Sequence, residues 1–262
     1  MGIPLLDSEQ VLAFVFVFLR IGAMLVMIPV IGEGSVPVRV KGGLAILIAL
    51  LVYPVVRSGA PAWTLQTETL WIAWAILGEV LIGALLGFAA KMVFAGIRFG
   101  GGMIGMQMGF AIVNVIDPAT RTQSSIIAEF QYMIAALVYL AVDAHHLFIV
   151  AIAESYRLIP PAGFHYSGAL MEAVITFSQA IFTTAVKISA PIMAVLLFTN
   201  VALGIVARTV PQINVFIVGF PLQIAVGLFF LGLTIPVIVI LIQRALAGFS
   251  GQIQVLLRLM GS

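Results

Sequence analysis

The chain has 262 residues, of which 63% are hydrophobic and 8% are charged, and its formal net charge at pH 7 is +2. So small a charge gives no reason to expect nucleic-acid binding, and the absence of cysteine excludes disulfides, thiol catalysis and Cys-ligated metal sites. A mean hydropathy of +1.23 excludes a soluble domain of this length. Because about 20 apolar residues cross a membrane as a helix, we predict an all-α, polytopic membrane protein with about six hydrophobic helical segments.

The first three apolar segments differ in length. Val11–Val30 predicts a retained span, because acidic residues precede it where a secretory signal would be basic. Residues 44–56 are too few for a full crossing unless the segment borrows neighbouring residues, tilts little or packs on protein. Leu70–Ile97 is long enough to cross with length to spare.

The stretch after the third segment, GGGMIGMQMG at residues 100–109, combines glycine with methionine. Glycine disfavours helix, and Asp117–Pro118 follows, so we predict an irregular loop here. Irregular backbone at membrane depth lines a cavity or is buried in protein, and methionine can repack around objects of varied shape. Two interpretations stay open: a deformable seal for a pore, and a linker whose methionines cover an apolar surface.

Three further apolar segments follow, at residues 126–153, 169–207 and 215–242. A short polar turn separates the last two, which are predicted to form a helical hairpin. Lys and Arg residues are almost equally numerous on the two sides of a six-span scheme, so the positive-inside rule does not orient it. This balance suggests that partner proteins fix the final position of the chain.

Six charged side chains fall within the apolar segments. Each costs roughly 2.5 to 3.5 kcal/mol at membrane depth and therefore needs protein or water around it. They could form a proton or ion relay, but we favour pairing with one another or with neighbouring subunits. The six are Arg20, Glu79, Lys91, Glu129, Asp143 and Lys187.

No pattern typical of catalysis or of metal binding is present. His145 and His146 are adjacent, so on a helix they point about 100° apart, and neither has a third ligand three or four residues further on. The glycines at 100, 102 and 105 fit a nucleotide-binding spacing, but no strand precedes them, and G-x-S-x-G is missing. We therefore predict no catalytic residue, no metal and no cofactor.

Motifs along nearly the whole chain resemble one known family. The most specific is a polar PQ-x-N turn followed by a Gly-Phe-Pro break, which general membrane composition does not explain. The motifs are FLRIGAMLVMIP at Phe18–Pro29, GEVLIGALLGF from Gly78, Ala95-Gly96, Asp117-Pro118, DAHHLFIVAIAES at Asp143–Ser155, APIMAVLL from Ala190 and ARTVPQINVFIVGFPLQIAVGL at Ala207–Leu228. In these motifs the chain resembles the FliR proteins of the bacterial flagellar export apparatus and their injectisome relatives, SpaR and YscT.

The resemblance implies one FliR-type membrane domain over residues 1–262. Its FliP-like part covers about 1–175, with a plug loop at 100–117, and a FliQ-like helical hairpin covers about 180–262. Kinked helical hairpins of this kind assemble with FliP and FliQ subunits into a helical channel complex, with FlhB and FlhA as further partners. The resemblance places this multi-pass protein in the bacterial inner membrane at the flagellar basal body, where unfolded flagellar proteins pass through the channel.

The resemblance also assigns the glycine and methionine segment the role of a plug in the closed channel. The residues implied are Gly100, Gly101, Gly102, Met103, Ile104, Gly105, Met106, Met108, Gly109 and Phe110. Two alternatives stay open, an injectisome paralogue and a secondary transporter. Intramembrane charges and helix breaks at Pro191 and Pro221 favour a transporter, whereas the lack of an inverted repeat argues against one.

Overall fold

The computed structural model describes residues 8–59, 68–110, 125–210, 212 and 214–261, and most of these residues are α-helical. This architecture confirms the predicted all-α class. The helices are α1 (Ser8–Met27), α2 (Val38–Gly59), α3 (Thr69–Gln107), α4 (Ile126–Ala141), α5 (His146–Leu158), α6 (Gly168–Thr209), α7 (Val215–Ala247) and α8 (Phe249–Met260).

The helices are long enough for a membrane protein of about six spans, as predicted. Five segments have the length and apolar composition to cross a membrane: α1, α2, α3, α6 and the stretch Ile217–Met260. The pair α4 and α5 is a sixth if it is counted as one broken span.

The second apolar segment becomes a full-length helix by borrowing residues before it. α2 begins at Val38, ahead of the predicted start at Leu44, and continues past Pro54 to Gly59. The Nζ of Lys41 donates 2.8 Å hydrogen bonds to the carbonyls of Gly32 and Glu33. Lys41 therefore ties the first turn of α2 to the loop that precedes it.

The prediction of irregular backbone at residues 100–109 was wrong for most of that stretch. α3 continues without a break to Gln107, and only residues 108–110 form a turn, in which Gly109 has a φ of +90°. Each glycine costs a helix roughly 1 kcal/mol, but it also lets a neighbouring helix approach closely, and here the packing outweighs the propensity. Residues 111–117, the remainder of the predicted plug loop, lie outside the described residues.

The chain divides into two compact units. The first comprises residues 1–91, 143–177 and 246–262, and the second comprises residues 92–142 and 178–245.

In the first unit, α2 packs on α1 and α5, and α5 also packs on α8. The rings of Phe148 and Phe249 have their centroids 5.1 Å apart. The backbone N–H of His165 donates to the carbonyl of Met260 at 2.9 Å, which holds the end of α8.

The second unit contains α4, the last part of α3 and most of α6 and α7. The ring of Phe94 meets Tyr132 and Tyr139 edge-on, at centroid distances of 5.5 and 5.7 Å. The side-chain amides of Asn200 and Gln223 are hydrogen-bonded to each other. These two residues are about equally far from the turn between α6 and α7, as expected for a helical hairpin.

Candidate functional site

A bidentate ion pair is buried in the first unit. The Nε of Arg20 donates to Oε2 of Glu79 at 2.6 Å, and its Nη2 donates to Oε1 at 2.9 Å. The side chains are 0% and 1% exposed. Two of the six charges that the sequence places within apolar segments therefore pair with each other.

The remaining donors of Arg20 also have acceptors. Its Nη1 donates to Oγ of Ser155 at 2.8 Å, and its Nη2 donates in addition to the carbonyl of Ile159 at 3.1 Å. Ser155 in turn donates to the carbonyl of Ile152 at 2.7 Å. A buried ion pair is tolerated only when its remaining hydrogen-bonding groups are satisfied, and this one meets that condition.

Tyr156 covers both members of the pair. Its hydroxyl lies 2.9 Å from Oε2 of Glu79 and 3.1 Å from the carbonyl of Phe16, both of them acceptors for its single proton. The guanidinium of Arg20 lies 3.7 Å from the centroid of the Tyr156 ring. The ion pair is thus closed by an aromatic ring that also joins α5 to α1.

Glycines in α3 bring the two charged helices together. A methyl group built on Gly87 would lie 2.6 Å from Cβ of Met27, and one on Gly83 would collide with the carbonyl of Arg20. Because α3 approaches α1 this closely, the short side chain of Glu79, one helical turn before Gly83, reaches the guanidinium. The cluster links α1, α3 and α5 and presents no open face to water, which fits a structural link better than a proton or ion relay.

A second ion pair lies in the second unit and is more open. The Nη2 of Arg98 is 3.4 Å from Oε2 of Glu129, and both side chains are about two-fifths exposed. The guanidinium of Arg98 stacks 3.8 Å from the ring centroid of Tyr132. Glu129 thus finds its partner in a residue that the sequence did not place among the intramembrane charges.

The other predicted intramembrane charges have different surroundings. Lys91 and Lys187 are exposed, and neither forms an ion pair with any residue that the structure describes. Asp143 lies with Oδ1 3.8 Å from Nδ1 of His146 and 3.9 Å from Nε2 of His145. Exposed lysines on apolar helices need water or another subunit around them.

The glycines predicted for the plug pack against two different helices. A methyl group on Gly100 would lie 2.9 Å from the carbonyl oxygen of Ala185 in α6. One on Gly101 would lie 2.6 Å from Cα of Ala128 in α4, whereas Gly102 has open space beside it. The end of α3 is therefore held between two neighbours, and the first two of these glycines serve close packing.

The apolar residues predicted for the plug separate into buried and exposed groups. Ile104 and Met108 are fully buried, and Met108 occupies the space that a side chain at Gly227 of α7 would need. Met103 is partly buried, with its sulfur 4.0 Å from Oγ of Ser189. Met106 is 69% exposed, so it is the methionine of this segment that the second unit leaves available for another surface.

A spacing in the sequence could have revealed this packing. Three pairs of glycines in α3 are four residues apart, as in the small-xxx-small pattern by which membrane helices approach one another. The pairs are Gly83 and Gly87, Gly96 and Gly100, and Gly101 and Gly105.

Residues 11–249 match the family described as bacterial export proteins, family 1. The chain belongs to this family. The match covers most of both structural units, and with it the Arg20–Glu79 cluster and the glycine-packed part of α3.

Several relatives are similar to this chain over most of their own length. The flagellar biosynthetic protein FliR of Bacillus subtilis (strain 168) is 37% identical over 252 residues, which are 95% of this chain and 96% of that protein. The FliR protein of Pectobacterium carotovorum is 34% identical over 86% of this chain and 85% of the relative. The FliR protein of Escherichia coli (strain K12) is 31% identical over 88% of each.

These findings confirm the resemblance that the motifs predicted. This chain is therefore a membrane-embedded component of the bacterial flagellar export apparatus and not an enzyme.

Proposed function

We propose that this chain is a subunit of the flagellar type III export gate in the bacterial inner membrane. With FliP and FliQ subunits it forms the channel through which unfolded flagellar proteins pass, and FlhB and FlhA adjoin it at the basal body. Support comes from the family match over residues 11–249 and from relatives whose names assign them to flagellar biosynthesis.

The observation that carries the channel role is the mixed surface of α6 in the second unit. Phe198 and Val201 are more than half exposed there, so lipid or protein must cover them. Gln179, Thr183 and Lys187 are also exposed and recur every four residues, which places them along one side of the helix. Lipid does not readily accommodate Lys187, so this side faces water or polar protein, as a channel wall would.

In this proposal the plug is the segment at the C-terminal end of α3. Residues 96–107 of α3 are held by α4 and α6, so they provide a fixed base. Met106 is exposed at the end of this base, and Gly109, with its left-handed backbone, begins the segment that follows. The sealing surface then comprises Met106, Phe110 and the residues up to Asp117, while Ile104 and Met108 anchor the base.

Aspartate at position 106 tests the plug directly. Met106→Asp should let ions leak through the closed gate, because a charge wets an apolar constriction, and it should leave assembly intact. The measurement is the ion conductance of cells that express the gate, together with the yield of the purified complex. Met133→Asp is the matched control, since Met133 is also exposed but lies on α4.

Met108→Asp should behave differently, because Met108 is buried against Gly227. We expect less assembled complex and no selective leak. If a fully assembled gate carrying Met106→Asp had normal conductance, the plug role would be rejected, whereas the export role would stand.

The subunit role itself is tested by native mass measurement of the tagged chain expressed with FliP and FliQ partners. We expect a large complex of fixed stoichiometry and an unstable chain in their absence. A stable monomer, or a small oligomer that a transported solute stabilises, would support a secondary transporter instead.

A further inference from the structure

Asp143, His145 and His146 come together in the turn that precedes α5, within the first unit. Each offers one potential ligand atom, and the three atoms lie within 4.8 Å of one another. Oδ1 of Asp143 is 3.8 Å from Nδ1 of His146 and 3.9 Å from Nε2 of His145. The sequence predicted no metal site because no ligand follows the histidines at helical spacing, but here the third group precedes them.

The backbone of Asp143 makes this arrangement possible. Its φ is +53°, in the left-handed region, and α5 begins three residues later at His146. In a regular helix the two histidines would point about 100° apart, whereas here their ring centroids are 4.2 Å apart. Left-handed backbone is uncommon outside glycine, and aspartate and asparagine are among the few other residues that adopt it as single residues.

The distances fit a bridging ion better than direct hydrogen bonds. A hydrogen bond joins its donor and acceptor at about 2.7–3.2 Å, so both separations from Asp143 are too long for one. Ligands of a tetrahedral zinc ion, each about 2.0–2.1 Å from the metal, are roughly 3.3 Å apart. Movements of about half an ångström would therefore bring Oδ1 of Asp143 to that separation from each histidine nitrogen, and the three ligand atoms already lie within 4.8 Å of one another.

We propose that Asp143, His145 and His146 bind a divalent transition-metal ion. Two imidazoles and a carboxylate are a donor set that suits Zn²⁺, Co²⁺ or Ni²⁺. Asp143 and His146 are 69% and 63% exposed, so an ion can reach them from outside the chain. Three protein ligands leave a fourth position for water or for a side chain of a neighbouring subunit.

Cobalt provides a direct test on the full-length chain in detergent. Co²⁺ should bind at one ion per chain with the visible absorption of a tetrahedral site, and Zn²⁺ should displace it. The chain has no cysteine and only three histidines, so few other groups can compete. Asp143→Asn and His146→Ala should each weaken Co²⁺ binding at least about tenfold. Substitution of a residue that only hydrogen-bonds to a metal ligand already lowers metal affinity about 10–100-fold.

His165→Ala is the matched control, because His165 is the remaining histidine and lies outside the trio. It should bind Co²⁺ as tightly as the wild-type chain. Asp143→Asn keeps a residue that tolerates left-handed backbone, and an unchanged helical circular dichroism spectrum would show that the fold is intact. Failure of the wild-type chain to bind Co²⁺ and Zn²⁺, equal affinity in Asp143→Asn, or binding that depends on His165 would overturn the proposal.

Discussion

Arg20 and Glu79 show how a charge is accommodated in an apolar helix. The carboxylate receives two hydrogen bonds from the guanidinium, and Ser155 and Ile159 accept further ones. Removing one partner would leave the other charged, buried and unpaired, which costs more than losing the pair as a whole.

We expect Glu79→Gln to lower the free energy of unfolding by about 3–5 kcal/mol. The double variant Arg20→Met/Glu79→Leu should recover most of this loss, because no buried charge is left. Unfolding of the detergent-solubilised protein by titration with a denaturing detergent measures both. Glu129→Gln, at the more exposed pair with Arg98, should cost about 1 kcal/mol or less. A double variant no more stable than Glu79→Gln would show that Arg20 and Glu79 are not coupled.

At the scale of the helix, α3 is organised by residues that have no side chain. Its glycines let α1 approach in the first unit, and α4 and α6 in the second. Gly101 and Gly102 are neighbours in the sequence, yet one faces the backbone of Ala128 and the other faces open space. Adjacent positions of one helix therefore differ in their tolerance of a methyl group.

Gly101→Ala should destabilise the second unit by about 1–3 kcal/mol, because the added methyl group must push Ala128 away. Gly102→Ala should be neutral or stabilising by about 0.5–1 kcal/mol, since alanine is the better helix former and meets nothing there. Thermal unfolding of the two variants makes the comparison. Equal effects would argue that close packing of α3 on α4 does not depend on Gly101.

The sequence predicted the apolar helices well because hydropathy and length alone determine which segments can cross a membrane. The prediction of irregular backbone at residues 100–107 was wrong, because the low helix propensity of these glycines is outweighed by the close helix packing that they allow. The pairing of Arg20 with Glu79 joins residues 59 positions apart, which no local pattern encodes. The trio at Asp143 depends on one left-handed φ, and side-chain spacing assumes regular helix.

At the scale of the whole molecule, much of the apolar surface is left for other components to cover. α6 shows this best, since Phe182 and Phe198 are exposed on it together with Gln179 and Lys187. A helix surrounded by lipid alone would not expose both kinds of residue. This exposed surface supports the proposal that the chain forms one part of a channel wall.

Cysteine labelling tests this view, and the native chain has no cysteine to interfere. In the assembled gate, Thr183→Cys and Lys187→Cys should react with a membrane-impermeant maleimide, because they lie on the polar side of α6. Phe182→Cys should react far less, since position 182 is about 100° from position 183 around the helix. Equal reaction at positions 182 and 183 would show that the polar row does not face water.

The ion pair between Arg20 and Glu79 also has a consequence for the synthesis and membrane insertion of the protein. α1 leaves the ribosome first, and Arg20 cannot pair with Glu79 until 59 further residues have been translated. At about 5–20 residues per second, translation imposes a delay of roughly 3 to 12 seconds. During that interval the guanidinium of Arg20 is not paired with Glu79, so an insertase, lipid headgroups or a partner subunit must stabilise it until α3 has been inserted.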